Sequence, residues 1–225
     1  IAAKRLPMLW LPPLPASLTL EEVRPNEGWD GSIWRPATSW LSLVVGLLDR
    51  PRERVQSPYL VPLGREGHLA IYSAPGYGKT TALHSLITSV ALTYAPDDVH
   101  MYLLDFGGRL LKVFERLPHV GAVVTADETE RLERLALFLR RNLEERRDLL
   151  GASGVNNLPA YRESTGSKLP ALVVVLDNYA NYIEAAGENE SLITLITRLA
   201  QDGTNLGIHL VLTANNSATI RFAVS

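Results

Sequence analysis

A strand, a glycine-rich loop and a helix, which follow one another between residues 68 and 90, constrain the fold of this chain more than any other feature. The apolar run at residues 68–72 predicts a strand, and from about Lys79 apolar side chains recur at helical spacing. Residues 73–80 between them read Ser-Ala-Pro-Gly-Tyr-Gly-Lys-Thr. Such a turn directs backbone N–H groups inward, where they and the positive end of the helix attract a phosphate group. This segment therefore predicts a phosphate-binding loop in an α/β protein.

The loop matches the pattern G-x-x-x-x-G-K-S/T except at its first position, where Ser73 replaces glycine. Lys79 is placed to reach the β and γ phosphates of a nucleotide, and the hydroxyl of Thr80 is placed to ligate Mg²⁺. The serine leaves open a shifted loop with lower affinity, and a turn that only caps a helix is the alternative. The predicted nucleotide contacts are Ser73, Ala74, Pro75, Gly76, Tyr77, Gly78, Lys79, Thr80, Thr81 and, on a later strand, Asp177.

The partner of this loop is predicted at the end of a buried strand. Residues 171–176 form a continuous apolar run, as in strands covered on both faces, and the run ends at Asp177. A carboxylate at that point binds Mg²⁺ directly or through water. Thr80 and Asp177 are therefore the predicted metal ligands.

The next residue, Asn178, bears on catalysis. Motor ATPases of this broad class carry a glutamate there, which orients and deprotonates the attacking water. A carboxamide cannot take that proton, so a contribution of about 10²–10⁴-fold to the rate is missing from this position. Asp105, at the end of a neighbouring predicted strand, is either a substitute base or a turn residue, and we favour the turn residue. The sequence assigns no catalytic residue and predicts slow hydrolysis by this chain alone.

The rest of the chain alternates predicted strands with predicted helices. Further strands are expected at residues 99–104, 120–124 and 208–213. Helices are expected at residues 109–117, from a Thr125/Glu128 capping box to about Leu149, and at 191–200. Alternation of this kind implies a mainly parallel sheet covered by helices on both faces. With the phosphate loop, it predicts an α/β P-loop NTPase.

Two regions are expected within the 225 residues. Residues 1–58 are predicted to be an extended N-terminal arm and an entry segment that pack on the core, because prolines at positions 7, 12, 13 and 15 disfavour a helix. Trp29, Trp34 and Trp40 are expected to anchor this segment. Residues 59–225 are predicted to be the P-loop core, without its last strands.

Composition and charge bear on several classes of function. The formal net charge is −2 without a block of like charges, so the basic footprint of a nucleic-acid binder is missing. This weakens the interpretation as a DNA motor without excluding it. The absence of cysteine excludes disulfides and thiolate metal sites. The five scattered histidines show no metal-binding spacing, and the apolar runs are shorter than the roughly 20 residues of a membrane helix. We expect a soluble fragment of a larger protein, without a signal peptide.

Several short segments, taken in order, resemble one family. They are Gly-Leu-Leu-Asp-Arg-Pro at 46–51 with Gln56, Tyr-Leu-Leu-Asp-Phe-Gly-Gly at 102–108, Leu-Pro-His-Val at 117–120, Leu-Asp-Asn-Tyr at 176–179 and Leu-Gly-Ile-His-Leu at 206–210. Together with the phosphate loop they resemble the FtsK/SpoIIIE-type ATPase domains of the type VII secretion motor, the EccC/EssC family. The resemblance covers about residues 43–221 and implies a RecA/FtsK-like P-loop fold that binds ATP and Mg²⁺.

The resemblance also bears on activity. Those motors carry several such domains in tandem, and the later ones lack the catalytic glutamate. This chain has Asn178 at that position, as expected of a later domain. The Asp-Asn-Tyr and Gly-Tyr-Gly-Lys-Thr segments are most similar to the second ATPase domain. Active members carry an arginine and a glutamine where Thr204 and Asn215 stand in this chain. The resemblance therefore implies weak or absent hydrolysis.

By the same resemblance, the chain is a cytoplasmic domain of a membrane-anchored bacterial protein. It implies contacts with neighbouring ATPase domains and, through the full-length protein, with other membrane components of the secretion system, and it leaves a hexamer open. ATP is then mainly a structural and regulatory ligand. An active motor domain, of a secretion machine or of a DNA translocase, is the alternative. A third reading is recognition of the C-terminal signal of WXG-motif secretion substrates.

Overall fold

The computed structural model describes residues 11–24 and 26–220. Pro7 of the predicted arm and residues 221–225 lie outside this range. The strands are β1 (Gly28–Trp29), β2 (Trp34–Arg35), β3 (Ser42–Arg50), β4 (Val55–Pro62), β5 (Leu69–Tyr72), β6 (Val99–Asp105), β7 (Val120–Thr125), β8 (Ala171–Asp177) and β9 (Ile208–Ala214). The helices are α1 (Leu20–Val23), α2 (Leu63–Glu66), α3 (Lys79–Thr93), α4 (Thr129–Ala152), α5 (Leu158–Thr165), α6 (Tyr179–Ala186) and α7 (Glu190–Asp202).

A five-stranded parallel sheet with the strand order β5-β9-β8-β6-β7 forms the centre of the molecule. Every residue of β8 and β9 is buried, so both faces of the sheet are covered. The crossover from β5 to β6 through α3 runs along the sheet in one direction. The crossovers from β7 to β8 through α4 and from β8 to β9 through α7 run in the other direction. Right-handed crossovers therefore place α3 on one face and α4 and α7 on the other. The predicted α/β fold with a mainly parallel sheet is confirmed.

The helix predicted at residues 109–117 is wrong. Residues Leu111–Phe114 form a short 3₁₀ helix instead. The two oxygens of the Asp105 carboxylate accept the backbone N–H groups of Arg109 and Leu111 at 3.0 and 2.7 Å. The chain bends around this carboxylate, with Gly108 at φ 139° and Arg109 at φ 63°, and positive φ values interrupt an α-helix.

The Thr125/Glu128 capping box forms only in part. The carboxylate of Glu128 accepts the backbone N–H of Thr125 at 3.0 Å, as expected of the acidic half of the box. The hydroxyl of Thr125, however, donates to Asp127 Oδ1 at 2.7 Å, and α4 begins only at Thr129. Thr125 is still the last residue of β7, so it lies too far from the helix to cap it.

The sequence analysis did not predict α6, which directly follows β8. It also did not predict the antiparallel hairpin of β3 and β4, in which Ser42 pairs with Pro62 and Arg50 with Val55. The hairpin crosses residue 58, and the division of the chain at that point stays a prediction.

Aromatic contacts connect the N-terminal segment to the helices and the sheet. Trp34 packs edge-on against His119 and Trp40 against Tyr94, with ring centroids 5.9 and 5.8 Å apart. The Tyr94 hydroxyl also accepts the backbone N–H of Ser42 at 2.9 Å. No helix in the described part of the chain is both long enough and apolar enough to cross a membrane.

Candidate nucleotide-binding site

A cavity of about 440 Å³ lies at the carboxyl edge of the central sheet, where parallel strands place their ends together. The loop that connects β5 to α3 forms one wall, and the ends of β8 and β9 form the other. The described residues that line the cavity are Pro75, Gly76, Gly78, Lys79, Thr80, Thr81, Gly107, Asp177, Asn178 and Asn215.

The two glycines of the loop adopt a backbone that other residues avoid. Gly76 has φ 82° and Gly78 has φ 81°, both in the left-handed region. Gly78 is the N-cap of α3, so the positive end of that helix faces the cavity. Ser73 is not among the described residues with positive φ, so serine at the first glycine position introduces no backbone strain of this kind.

Lys79 is held at the loop by three oxygen atoms. Its Nζ donates to the carbonyls of Ser73 at 2.6 Å and Ala74 at 3.2 Å, and to Asn215 Oδ1 at 3.2 Å. Asn215 follows β9, so the end of that strand reaches the lysine. An amine in this position lies beside the helix end to which a phosphate group is drawn.

Asp177 is the acidic group of the cavity and is 2% exposed. Its Oδ2 accepts the Thr80 hydroxyl at 3.0 Å, and its Oδ1 accepts the Thr213 hydroxyl at 2.6 Å. The structure thus brings together the two predicted metal ligands, which lie 97 residues apart in the chain. Hydroxyl and carboxylate oxygens are hard donors of the kind that Mg²⁺ prefers, so this pair fits that ion.

Gly107 packs against the same carboxylate. A Cβ atom at this position would lie 2.2 Å from Asp177 Oδ2, closer than real Cβ contacts come. The loop after β6 therefore covers Asp177 with bare backbone. The sequence signal was the Gly-Gly pair after Asp105-Phe106, which appeared in the resemblance without a role.

Asn178 follows Asp177 in a left-handed conformation, with φ 67° and ψ 77°. Its backbone N–H donates to the Thr213 hydroxyl at 2.8 Å. Its side-chain Oδ1 accepts the backbone N–H of Asn181 at 3.4 Å and caps α6. The amide thus serves the start of a helix, although it also lines the cavity.

Not all of the predicted nucleotide contacts lie at the cavity. Ser73 and Ala74 face Lys79 through their carbonyls, whereas Tyr77 is 80% exposed and does not line the cavity. Sequence reasoning missed Gly107 and Thr213. Only the pairing of β8 with β9 brings Thr213 to the site, and no local pattern signals it.

Thr204 lies at the opposite edge of the sheet. Its hydroxyl is 3.0 Å from His68 Nε2, just before β5 begins. A side chain at this position therefore faces away from the cavity of its own chain. In the described residues no group of three or more His, Cys, Asp or Glu side chains could hold a metal ion.

A glycine-turned loop between the edge strand β5 and α3, opposite an aspartate at the end of β8, defines a P-loop NTPase fold. The family model of FtsK/SpoIIIE matches residues 35–168. The chain belongs to the FtsK/SpoIIIE family, and the resemblance found in the sequence is confirmed.

Several relatives come from type VII secretion systems. The type VII secretion system protein EssC of Staphylococcus aureus (strain MRSA252) is 33% identical over 96% of this chain, which spans 14% of that protein. The solved structure of ATPases 2 and 3 of Thermomonospora curvata EccC, in complex with a signal sequence peptide, is 35% identical with a TM-score of 0.79 and covers 94% of this chain and 40% of that one. The solved structure of ATPases 2 and 3 of EssC from Geobacillus thermodenitrificans is 29% identical with a TM-score of 0.76. The match covers 94% of this chain and 38% of that one.

Proposed function

We propose that this chain is a nucleotide-holding domain of a type VII secretion ATPase, the second ATPase domain by its sequence motifs. It binds ATP with Mg²⁺ between the loop at residues 73–80 and Asp177. Its own hydrolysis is weak or absent, and the bound nucleotide stabilises the domain and its docking to neighbouring domains or substrate.

One observation carries this proposal: among the described residues that line the cavity, Asp177 is the only carboxylate, and the residue after it is Asn178. Asp177 is committed to two threonine hydroxyls. Asp105, the alternative base, accepts two backbone N–H groups of its own loop. No side chain in this set is free to take a proton from an attacking water, and general-base help amounts to about 10²–10⁴-fold.

The same residues support binding. Loop N–H groups, the end of α3 and Lys79 attract the phosphates, and Thr80 with Asp177 would hold Mg²⁺. When bound, Mg²⁺ would supply positive charge that offsets part of the negative charge of the phosphates. A ligand that binds only the folded state stabilises it by about 2.7 kcal/mol at a hundredfold excess over Kd. A nucleotide that is held without turnover would therefore contribute substantially to the stability of the folded domain.

The relatives of this chain support a proposal about the partners of the whole protein. We infer that the chain adjoins further ATPase domains, because the solved relatives each contain two and this chain spans 38–40% of them. One relative was solved with a signal sequence peptide, which supports docking of a secreted substrate here or on a neighbouring domain. We also propose a cytoplasmic position on a membrane-anchored bacterial protein, contacts with other membrane components of the secretion system, and hexameric assembly of the full-length protein.

The test is calorimetric titration of the purified chain with ATP and Mg²⁺, beside Lys79→Ala, with phosphate release measured on the same samples. We expect micromolar binding that the alanine variant loses, because the charge of Lys79 at the phosphates is removed. We also expect negligible phosphate release from both proteins. Double-stranded DNA is added as a third titrant, and no binding is expected at physiological salt, since the chain has a net charge of −2.

The opposite outcomes are distinct. Turnover near 1 s⁻¹ or above is in the range of ordinary enzymes and would establish an active motor domain. Equal binding by the wild type and Lys79→Ala would show that the loop does not hold the nucleotide. Tight, salt-sensitive binding of DNA would favour a DNA translocase.

A further inference from the structure

We propose that Thr213 is a positioning residue, which orients the Asp177 carboxylate for Mg²⁺-bound nucleotide without contacting the nucleotide itself. This inference rests on the proposed function of the cavity. It adds a determinant of metal-dependent binding on β9, a strand that the phosphate-loop pattern does not include.

The contacts of Thr213 are specific and buried. Its side chain is 0% exposed, and it is not among the described residues that line the cavity. Its hydroxyl lies 2.6 Å from Asp177 Oδ1 and 2.8 Å from the backbone nitrogen of Asn178. Thr213 therefore acts on the cavity through its neighbours on β8.

The direction of both hydrogen bonds is determined by the donors available. The backbone N–H of Asn178 can only donate, so the Thr213 oxygen accepts there and its single proton goes to Asp177. A hydroxyl that accepts one hydrogen bond and donates another to a carboxylate has little freedom to rotate. This arrangement holds Oδ1 of Asp177 in place from the side that does not face the cavity.

The two oxygens of Asp177 are thus held from two sides. Thr80, on the loop, holds Oδ2 and is also the residue predicted to ligate Mg²⁺, so its hydroxyl has two possible partners when the ion binds. Thr213 is away from the cavity, and its bond to Oδ1 has no such competition. The orientation of Asp177 in the loaded state would therefore depend on Thr213.

A buried threonine at the end of a strand often serves only to satisfy backbone groups, and the two roles differ in what they predict. A purely structural role lowers stability and affects nucleotide binding equally with and without Mg²⁺. A positioning role affects binding only where Asp177 takes part, which is when Mg²⁺ is present. The difference between the two titrations therefore separates them.

The experiment titrates ATP into the chain in Mg²⁺ and again in EDTA, for wild type, Thr213→Val and Thr213→Ser. Valine has nearly the same shape without the hydroxyl, and serine keeps the hydroxyl. We expect Thr213→Val to weaken Mg²⁺-ATP binding about tenfold, the scale of a lost hydrogen bond to a charged group. Its affinity in EDTA should stay within about twofold of wild type, and Thr213→Ser should match wild type within about twofold in both titrations.

Thr93→Val is the matched control. Thr93 is 3% exposed on α3, and its hydroxyl has no hydrogen-bond partner within the described part of the chain. The same chemical change there should leave the Mg²⁺ dependence of ATP binding unchanged. Thermal unfolding of each variant monitors folding, and if Thr213→Val does not fold, Thr213→Ala is compared with Thr213→Ser instead.

Three results would overturn the inference: an unchanged Mg²⁺ dependence in the variant without the hydroxyl, an equal loss of affinity in EDTA, or a serine variant as weak as valine. Wild type that fails to bind Mg²⁺-ATP at all would instead refute the proposed function, and the inference with it. The wild-type titration, measured first, distinguishes the two failures.

Discussion

At the scale of single residues, the carboxylate of Asp177 is held from several sides. Two threonine hydroxyls hold its oxygens, and the backbone of Gly107 packs against one of them. Because the described part of the cavity has no other carboxylate, small changes around Asp177 should have large effects on binding.

Gly107→Ala is predicted to weaken both folding and Mg²⁺-ATP binding. The added methyl group would lie 2.2 Å from Asp177 Oδ2, so either the loop or the carboxylate has to shift. Overpacking of this kind costs about 1–3 kcal/mol of folding free energy. Urea unfolding and ATP titration measure the two effects. Gly151→Ala, where an added Cβ meets nothing within 4 Å, is the control, and equal behaviour of the two variants would disprove the steric argument.

At the scale of elements, the junction between β8 and α6 depends on Asn178. The strand delivers Asp177 to the cavity, and the chain then turns sharply through the left-handed backbone of Asn178 into the helix. Asparagine tolerates this conformation better than most residues and supplies the N-cap as well. The local structure thus favours asparagine at this position.

Asn178→Ala is predicted to lower the free energy of unfolding by about 2 kcal/mol, the sum of a lost N-cap and a strained backbone. Asn178→Gly loses the same cap but adopts positive φ freely, so its loss should be only a few tenths of a kcal/mol. Urea unfolding of the two variants side by side measures the difference. If both lose equal stability, the backbone of Asn178 is not strained.

At the scale of the whole molecule, buried histidines make stability depend on pH. His209 on β9 is 2% exposed, and its Nδ1–H donates to the carbonyl of Gly67 at 2.8 Å, just before β5. Burial lowers the pKa of His209 to about 4, although the bond to Gly67 opposes the shift, and His68 and Arg146 lower it further. Burial also lowers the pKa values of His68, His100 and His119.

Acidification from about pH 6.5 to about pH 4 is predicted to reduce the free energy of unfolding. In that range the unfolded chain binds a proton at His209 that the folded chain refuses, so stability is present above it and is lost as the pH falls. One such histidine contributes a slope of up to about 1.4 kcal/mol per pH unit. Urea unfolding at several pH values measures the slope. In His209→Asn, which keeps a donor for Gly67, the slope should be shallower, and an unchanged slope would refute the assignment to His209.

All five strands of the central sheet could be predicted because each is a mainly apolar run. The run at residues 171–176 became β8 and the run at 208–213 became β9, as buried parallel strands require. The prediction of a helix at 109–117 failed because the side chain of Asp105, which lies before that segment, accepts hydrogen bonds from its backbone. Periodicity reports which face of a segment is apolar, and it does not report such contacts.

The sequence by itself determined the phosphate loop, the aspartate at the end of a buried strand and the asparagine after it, because these depend on residues adjacent in the chain. Only the tertiary structure decided that β9 lies between β5 and β8, so that Thr213 reaches Asp177 from 36 residues away and Asn215 reaches Lys79. It also decided that Gly107 covers the carboxylate. The physical reason is that strand order and register set these contacts, and both result from packing over the whole sheet.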